Sequence, residues 1–494
     1  MARRALPAGK WRAGLAAFCL GVIAAAGQAP FDLWFLTIAA LAVLLAMGVG
    51  LRARPARAVF TLWMGGAGYF CAALSWIISP FLVEPETYGW MAPFAVLGMG
   101  FGLSLFWALA AKVGLRAKRP LLGMAVALAA SEMARGYLLT GFPWALLGHI
   151  WIDTPVAQLA ALIGPNGLTL LTTVVAAAIA GGGLWGRLAG AAGLAAAWGA
   201  GVWVLAQSMM PADTAITLRL VQPNAAQSLK WDEGRAHEFY GRLISATSLV
   251  PTPDLVIWPE TALPYLQEYN PEITADMARA AGGATLIYGR QRIDGDRGYN
   301  SLSVLPPDGR EAALYDKHHL VPFGEYIPFG DLAYEWLGLT AFAARLGNGY
   351  TAGTGPQVID LGRFGKMLPL ICYEAVFPQD LRTASRPDWL LHITNDAWFG
   401  TLTGPFQHAA QSRLRAIEQG LPMVRVANTG VTGVYDARGR LRADIPFGTQ
   451  AHLDTVLPAP LPITPFAAIG EWPALVLLFG GCIAAFAPAR RRKH

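Results

Sequence analysis

"LPLICYEAVFP" (368–378) decides how this chain is read. A short apolar run leads into Cys372, and Tyr373 and Glu374 follow at once. Such a run, ending in polar side chains, fits a strand buried in an α/β sheet, and in such sheets ligands and chemistry gather at strand ends. The chain has 4 cysteines, Cys19, Cys71, Cys372 and Cys482. All but Cys372 lie inside long apolar runs, where a cysteine behaves as a small hydrophobe. No pair has zinc-ligand spacing, and no disulfide framework is expected. Cys372 is therefore a candidate nucleophile. The ordinary alternative is a buried strand residue.

Working outward, two further buried runs end in chemistry. "VIWPE" delivers Glu260, and "AALYDK" delivers Lys317. A thiol at neutral pH is mostly protonated, so a nearby carboxylate can take its proton as general base. A nearby ammonium favours the thiolate and can stabilise an oxyanion, and the Tyr373 N–H offers a second donor. Each residue alone has an ordinary explanation: Glu260 as a helix cap, Lys317 as a solvated hairpin end. Their joint occurrence, with Glu325 in "KHHLVPFGEYIP", argues for a site. His318 and His319 suggest metal ligands, but no carboxylate or third histidine stands at ligand spacing, so no metal and no cofactor is expected.

The surrounding pattern is that of strands mixed with helices. "AITLRLVQPN", "PDLVIWPET", "ATLIYGRQRID" and "PDWLLHITNDAWFG" read as strands, and "YNSLSVLPPDGREAALYDK" as two strands around a turn. "NPEITADMARAAG" and "PFQHAAQSRLRAIEQGL" read as helices, the second amphipathic. "MVRVANTGVTGVYDARGRLRADI" closes with strand, strand, turn, strand. Residues 213–460 are thus expected to form a layered α/β domain without internal repeats.

The rest of the chain is different. Of 494 residues, 54% are hydrophobic and only 14% charged, against about a quarter charged in an average soluble domain. Apolar runs of roughly 18–25 residues read as bilayer spans. They lie near 12–30, 33–51, 58–80, 90–112, 120–142, 158–184, 188–209 and 466–487. The expected layout is a polytopic helical membrane domain over 1–212, the inserted α/β domain over 213–460, and a last span with a basic tail over 461–494. "GFPWALLGHIWIDTP" is expected either to lie along the interface or to fold back into the protein. The net charge is +6, with the basic residues at the two ends and in short links between apolar runs. That pattern suggests membrane topology rather than a nucleic-acid partner. Arg3, Arg4, Lys10 and Arg12, then Arg52, Arg54 and Arg57, then Lys112, Arg116, Lys118 and Arg119, then Arg187, then Arg490–Lys493 all fall on one side if there are about eight spans. That side is cytoplasmic, and residues 213–460 face outward.

Glu260, Lys317 and Cys372, in "WPET", "YDKHHLVPFGEY" and "ICYE", resemble the Glu-Lys-Cys triad of the nitrilase (carbon–nitrogen hydrolase) superfamily. With "QSLKWD", "FGEYIP" and "TNDAWFG", and with spans on both sides of the domain, the whole chain is similar to the apolipoprotein N-acyltransferase family of the bacterial inner membrane. The resemblance implies a nitrilase-like αββα sandwich facing the periplasm. It implies a ping-pong transfer of an acyl chain from a phospholipid, through a thioester on Cys372, to the α-amino group of the N-terminal diacylglyceryl-cysteine of an apolipoprotein. Glu260 would be the general base and Lys317 the oxyanion-stabilising cation. Glu325 would be an auxiliary acid, Tyr373 and Glu374 would shape the site beside the thiol, and Trp231 would sit in a mobile loop over the pocket. A monomer is expected.

Two rivals remain. A membrane-anchored amidase hydrolysing small amides needs only one anchoring span. A transporter carries ionisable residues along a path, whereas here Glu132 and Arg135 are the exceptions within the spans, expected either to pair locally or to flank the interface.

Overall fold

The computed structural model describes residues 9–181, 183–207, 212–230, 232–266, 272–327 and 349–488. They fall into two compact units, one comprising Met1–Ser208, Leu402–Ala410 and Thr464–His494, the other Met209–Thr401 and Gln411–Ile463.

The first unit is helical. Among the described residues, Pro85–Gly114, Pro155–Ala180 and Leu184–Gln207 are long and apolar enough to cross a membrane. Pro55–Ala73 and Ser75–Phe81 together form a further such pair, bent by 58°, while Trp34–Gly50 and Trp472–Phe486 are shorter apolar helices. The helix of 155–180 kinks where Gly164 takes φ 63° and Pro165 removes a donor. A side chain at Gly164 would also run into the Phe466 ring. The segment "GFPWALLGHIW" folds back into this unit, with Trp144 and Trp151 fully buried. It is held by Arg135, which donates to the carbonyls of Phe142 and Trp144 and pairs with Glu132 at 2.6 Å. Trp107 Nε1 donates to the other oxygen of Glu132 at 2.9 Å, so both oxygens of this buried carboxylate have donors, as a buried charge requires. At one end of the unit, Arg52 donates to the carbonyls of Leu115 and Ala117, and Arg119 to that of Ala484. Two of the basic links read from the sequence therefore meet there, beside the end of the helix Trp472–Phe486.

The second unit holds two six-stranded sheets. The first runs β12 (Ala451–Val456), β1 (Thr217–Gln222), β2 (Leu255–Ile257), β3 (Thr285–Asp294), β4 (Arg297–Leu305), β5 (Ala313–Asp316). The second runs β11 (Leu441–Ile445), β10 (Thr432–Tyr435), β9 (Met423–Ala427), β8 (Trp389–Thr394), β7 (Lys366–Ile371), β6 (Ile359–Asp360). β1–β2–β3 are parallel and flanked by antiparallel neighbours, and β7–β8–β9 repeat that arrangement. The parallel strands are buried on both faces, which is why they read as short continuous apolar runs. Pro369 is tolerated inside β7 because β6 pairs only with Lys366 and Met367, so its missing donor falls past the end of that neighbour.

Helices Glu233–Thr247 and Glu272–Ala281 pack Leu243, Met277 and Ala281 onto Val256, Trp258 and Leu286 of the first sheet. Ala416, from the helix Gly404–Gln419, packs with Leu368, Leu390 and Met423 of the second. The sheets face each other, β1 meeting β9 and β4 meeting β7. The layers are α-β-β-α, as expected. The amphipathic reading of 404–419 needs correction, since Ser412, Arg415 and Glu418 are all fully buried. Arg415 pairs with Glu418 at 2.7 Å and donates to Val376 O, so the polar stripe faces partners rather than water.

Candidate active site

The parallel strands present their carboxyl ends in one place. The chain leaves β2 through Trp258 and Pro259 into Glu260, leaves β5 into Lys317, and leaves β7 into Cys372. All three side chains are buried, which removes the solvated-hairpin reading of Lys317. Lys317 Nζ lies 2.8 Å from Glu325 Oε2 and 3.7 Å from Glu260 Oε1. Asn300, on β4, donates through Nδ2 to both carboxylates, at 2.7 Å to Glu260 and 3.1 Å to Glu325. The Asn395 N–H holds Glu260 Oε2 at 2.8 Å, and the Val321 N–H holds Glu325 Oε2 at 2.8 Å. One carboxylate oxygen of Glu260 is thereby tied to each sheet. Gly289 of β3 permits this approach, because a Cβ there would sit 2.5 Å from Pro259 O and 2.6 Å from Glu260 Cα.

Burial opposes the charge on Lys317, but Glu325 and then Glu260 outweigh it and hold the ammonium far above the usual lysine range. Burial pushes the Cys372 thiol well up, and Glu260 adds to this, while Lys317 and a hydrogen bond with Thr394 pull it back. The sulfur therefore rests as a thiol and needs a base to take its proton as it attacks.

Cys372 has φ 50°. A non-glycine residue in the left-handed region costs on the order of 1–2 kcal/mol, and such strain persists only where the surroundings over-determine it. Glu374 supplies much of that constraint. Its Oε2 accepts from the Ile371 N–H at 2.7 Å. Its Oε1 accepts from Tyr315 Oη at 2.9 Å and from the His318 N–H at 2.8 Å. This one buried carboxylate ties the turn at Cys372 to the loop that follows Lys317. Tyr373 stacks edge-on against Phe377 and His319.

The sequence offers no carboxylate beside the histidine pair, but folding brings one. His319 Nδ1 lies 2.9 Å and His318 Nε2 3.3 Å from Asp380 Oδ2. These ligand-type atoms lie within 4.8 Å of one another, yet they already satisfy each other, and His318 Nδ1 reaches Glu374 at 2.6 Å. The arrangement is an ion cluster. Burial disfavours the charge on His318, but Asp380 and Glu374 raise it to about 9, above the ordinary value of about 6.5. Its contribution to stability is complete below about pH 6.5 and is lost as the pH rises through about 9. The unfolding temperature should fall over that window, and His318→Gln should flatten the fall; equal slopes for both proteins in a thermal melt series would contradict it.

Trp231 lies outside the described residues. Its neighbour Lys230 is buried beneath Glu260, donating to Thr261 Oγ1 at 2.7 Å and to Glu260 O at 3.4 Å. Burial lowers its pKa to about 8 against the opposing pull of Glu260. Sequence reasoning missed Lys230, Asn300 and Asn395 as site components, although "QSLKWD", "YNS" and "TNDAWFG" carried them. A polar residue inside or just beyond an otherwise buried strand is the signal that was available.

Residues 217–457 match the carbon–nitrogen hydrolase family model, the class that this fold and this cluster of Glu, Lys and Cys define. Residues 20–178 match the model for the apolipoprotein N-acyltransferase N-terminal domain. The chain belongs to the apolipoprotein N-acyltransferase family. It is 36% identical to the apolipoprotein N-acyltransferase of Rhodopseudomonas palustris over 95% of this chain and 94% of that one. It is 37% identical to that of Bradyrhizobium diazoefficiens over 98% and 95% of the two chains, and 39% identical to that of Caulobacter vibrioides over 86% of each.

Proposed function

We propose that this chain moves an acyl group from a membrane phospholipid, by way of a thioester on Cys372, to the α-amino group of the diacylglyceryl-modified cysteine that begins an apolipoprotein. The observation that carries the reading is the buried cluster of Cys372, Glu260, Lys317 and Glu325 in a chain whose other unit consists of apolar helices. Cys372 Sγ attacks the ester carbonyl while Glu260 takes the thiol proton. Lys317 and the Tyr373 N–H receive the charge that develops on the carbonyl oxygen. Collapse breaks the ester C–O bond, and the lysophospholipid oxygen leaves with the proton from Glu260. In the second half the amine attacks the thioester, Glu260 takes its proton, the C–S bond breaks, and the sulfur departs with that proton from Glu260, which restores the thiol and the carboxylate. Glu325 keeps Lys317 charged and placed, Glu374 and Tyr373 shape the turn at the thiol, and Trp231, beside Lys230, contacts the substrate.

The membrane setting fits the substrate, since an acyl chain gains about 0.8 kcal/mol per buried CH₂ and a water-borne enzyme would have to extract it. The layout we propose has about eight spans, cytoplasmic termini and the catalytic unit in the periplasm of the bacterial inner membrane, in a monomer. The meeting of Arg52, Arg119 and the end of the helix Trp472–Phe486 at one end of the helical unit supports a single cytoplasmic side. A membrane-impermeant lysine reagent on spheroplasts should label 213–460 and spare the C-terminal tail; a labelled tail refutes this orientation.

The transfer is tested by loading the enzyme with labelled phospholipid, removing the excess, and adding a lipopeptide with a free or an acetylated N-terminus. Label should pass only to the free amine, as a hydroxylamine-stable amide. Rapid release of fatty acid to water without acceptor would favour the amidase.

A further inference from the structure

His392 sits in the middle of the second sheet, on β8, and is fully buried. An unremarkable core position would hold an apolar side chain, yet both ring nitrogens are engaged. Nε2 lies 3.1 Å from the backbone carbonyl of Cys372, and Nδ1 lies 2.8 Å from Ser412 Oγ. A carbonyl oxygen only accepts, so Nε2 carries the proton. In the neutral ring Nδ1 is then the acceptor, and the Ser412 hydroxyl that donates to it holds that tautomer.

The carbonyl it grips belongs to the peptide between Cys372 and Tyr373. That peptide is planar and trans, so its C=O and the Tyr373 N–H point in opposite directions. Gripping one end fixes the aim of the other. The grip acts where the backbone most needs it, at a cysteine with φ 50°, where relaxation toward an ordinary conformation would rotate this same peptide. Glu374 holds the Ile371 N–H before the turn, and His392 holds the carbonyl after it. We propose that His392, oriented by Ser412, is a positioning residue that sets the Tyr373 N–H as an oxyanion donor. This inference rests on the acyl-enzyme reading of Cys372.

The prediction separates two reactions of the same sulfur. Alkylation by iodoacetamide is a displacement at carbon that develops no oxyanion, so it reports the thiol, Glu260 and Lys317. Acylation by a phospholipid develops one. His392→Leu should slow thioester formation on the order of 10²-fold and leave alkylation little changed. His392→Gln, whose amide can reach the same carbonyl, should recover most of the lost rate. Ser412→Ala should show the same split in smaller measure, and it carries the test if the leucine variant does not fold. Both rates are measured on the full-length protein in detergent, by intact mass. Unchanged acylation in His392→Leu, or acylation and alkylation falling together, overturns the proposal. In Ser412→Ala the absence of a split does the same. If the wild-type protein itself forms no hydroxylamine-labile adduct, the acyl-enzyme reading is what fails.

Discussion

Cys372→Ala is expected to abolish the acyl-enzyme and to lower turnover on the order of 10⁴- to 10⁶-fold, the range found when a catalytic nucleophile or its base is removed elsewhere. The sulfur is the atom to which the acyl group is bonded between the two half-reactions, and no described neighbour offers a substitute. Lys317 and Lys230 are buried amines engaged with Glu325 and Thr261, and Thr394 donates to Asp396. Intact mass after exposure to phospholipid should show one added acyl chain on the wild-type protein and none on the variant. Cys19, Cys71 and Cys482 provide the controls, because each lies in a helix of the other unit. Their alanine variants should acylate as the wild type does. An acyl adduct on Cys372→Ala would remove this residue from the mechanism.

Lys317→Ala should fail in two separable ways. The ammonium is the cation that Glu260 and Glu325 share, and both carboxylates are buried. Breaking a buried ion pair by removing one partner costs about 3–5 kcal/mol, because the orphaned charge stays in a poor solvent. The variant should therefore melt well below the wild type. It should also form no thioester, since Lys317 both draws the thiol toward ionisation and faces the developing oxyanion. Lys317→Arg separates the effects. It keeps the charge, so it should regain much of the stability. Its planar fork cannot replace a compact ammonium between two carboxylates, so acylation should stay lost. Wild-type acylation by either folded variant would exclude Lys317 from catalysis.

How much of this was written in the chain can be followed residue by residue. Glu260, Lys317 and Cys372 were readable because each ends a buried run, and the run is a local pattern. The basic links were readable because charge is excluded from apolar spans. Asp380 escaped notice as a partner of His318 and His319 because it stands more than sixty positions away in sequence, beyond any ligand spacing. Asn395 reaches Glu260 across 135 positions. Asp396 and Arg425 form a 2.7 Å pair with neither side chain exposed. Helix 404–419 looked amphipathic because its polar residues are polar; that Ser412 and Arg415 face His392 and Val376 depends on where the second sheet lies.

The sequence by itself determined the partition into apolar helices and a layered α/β domain, most of the strands, and the three residues at the strand ends. Hydropathy and its period act over a few neighbouring residues, so a single chain displays them. Only the tertiary structure decided the left-handed backbone of Cys372, the sharing of Lys317 by two carboxylates, and the hold of His392 on the turn. Each arises from hydrogen bonds between groups far apart in the chain, whose strength depends on burial. Burial comes into being only when the two sheets close on each other.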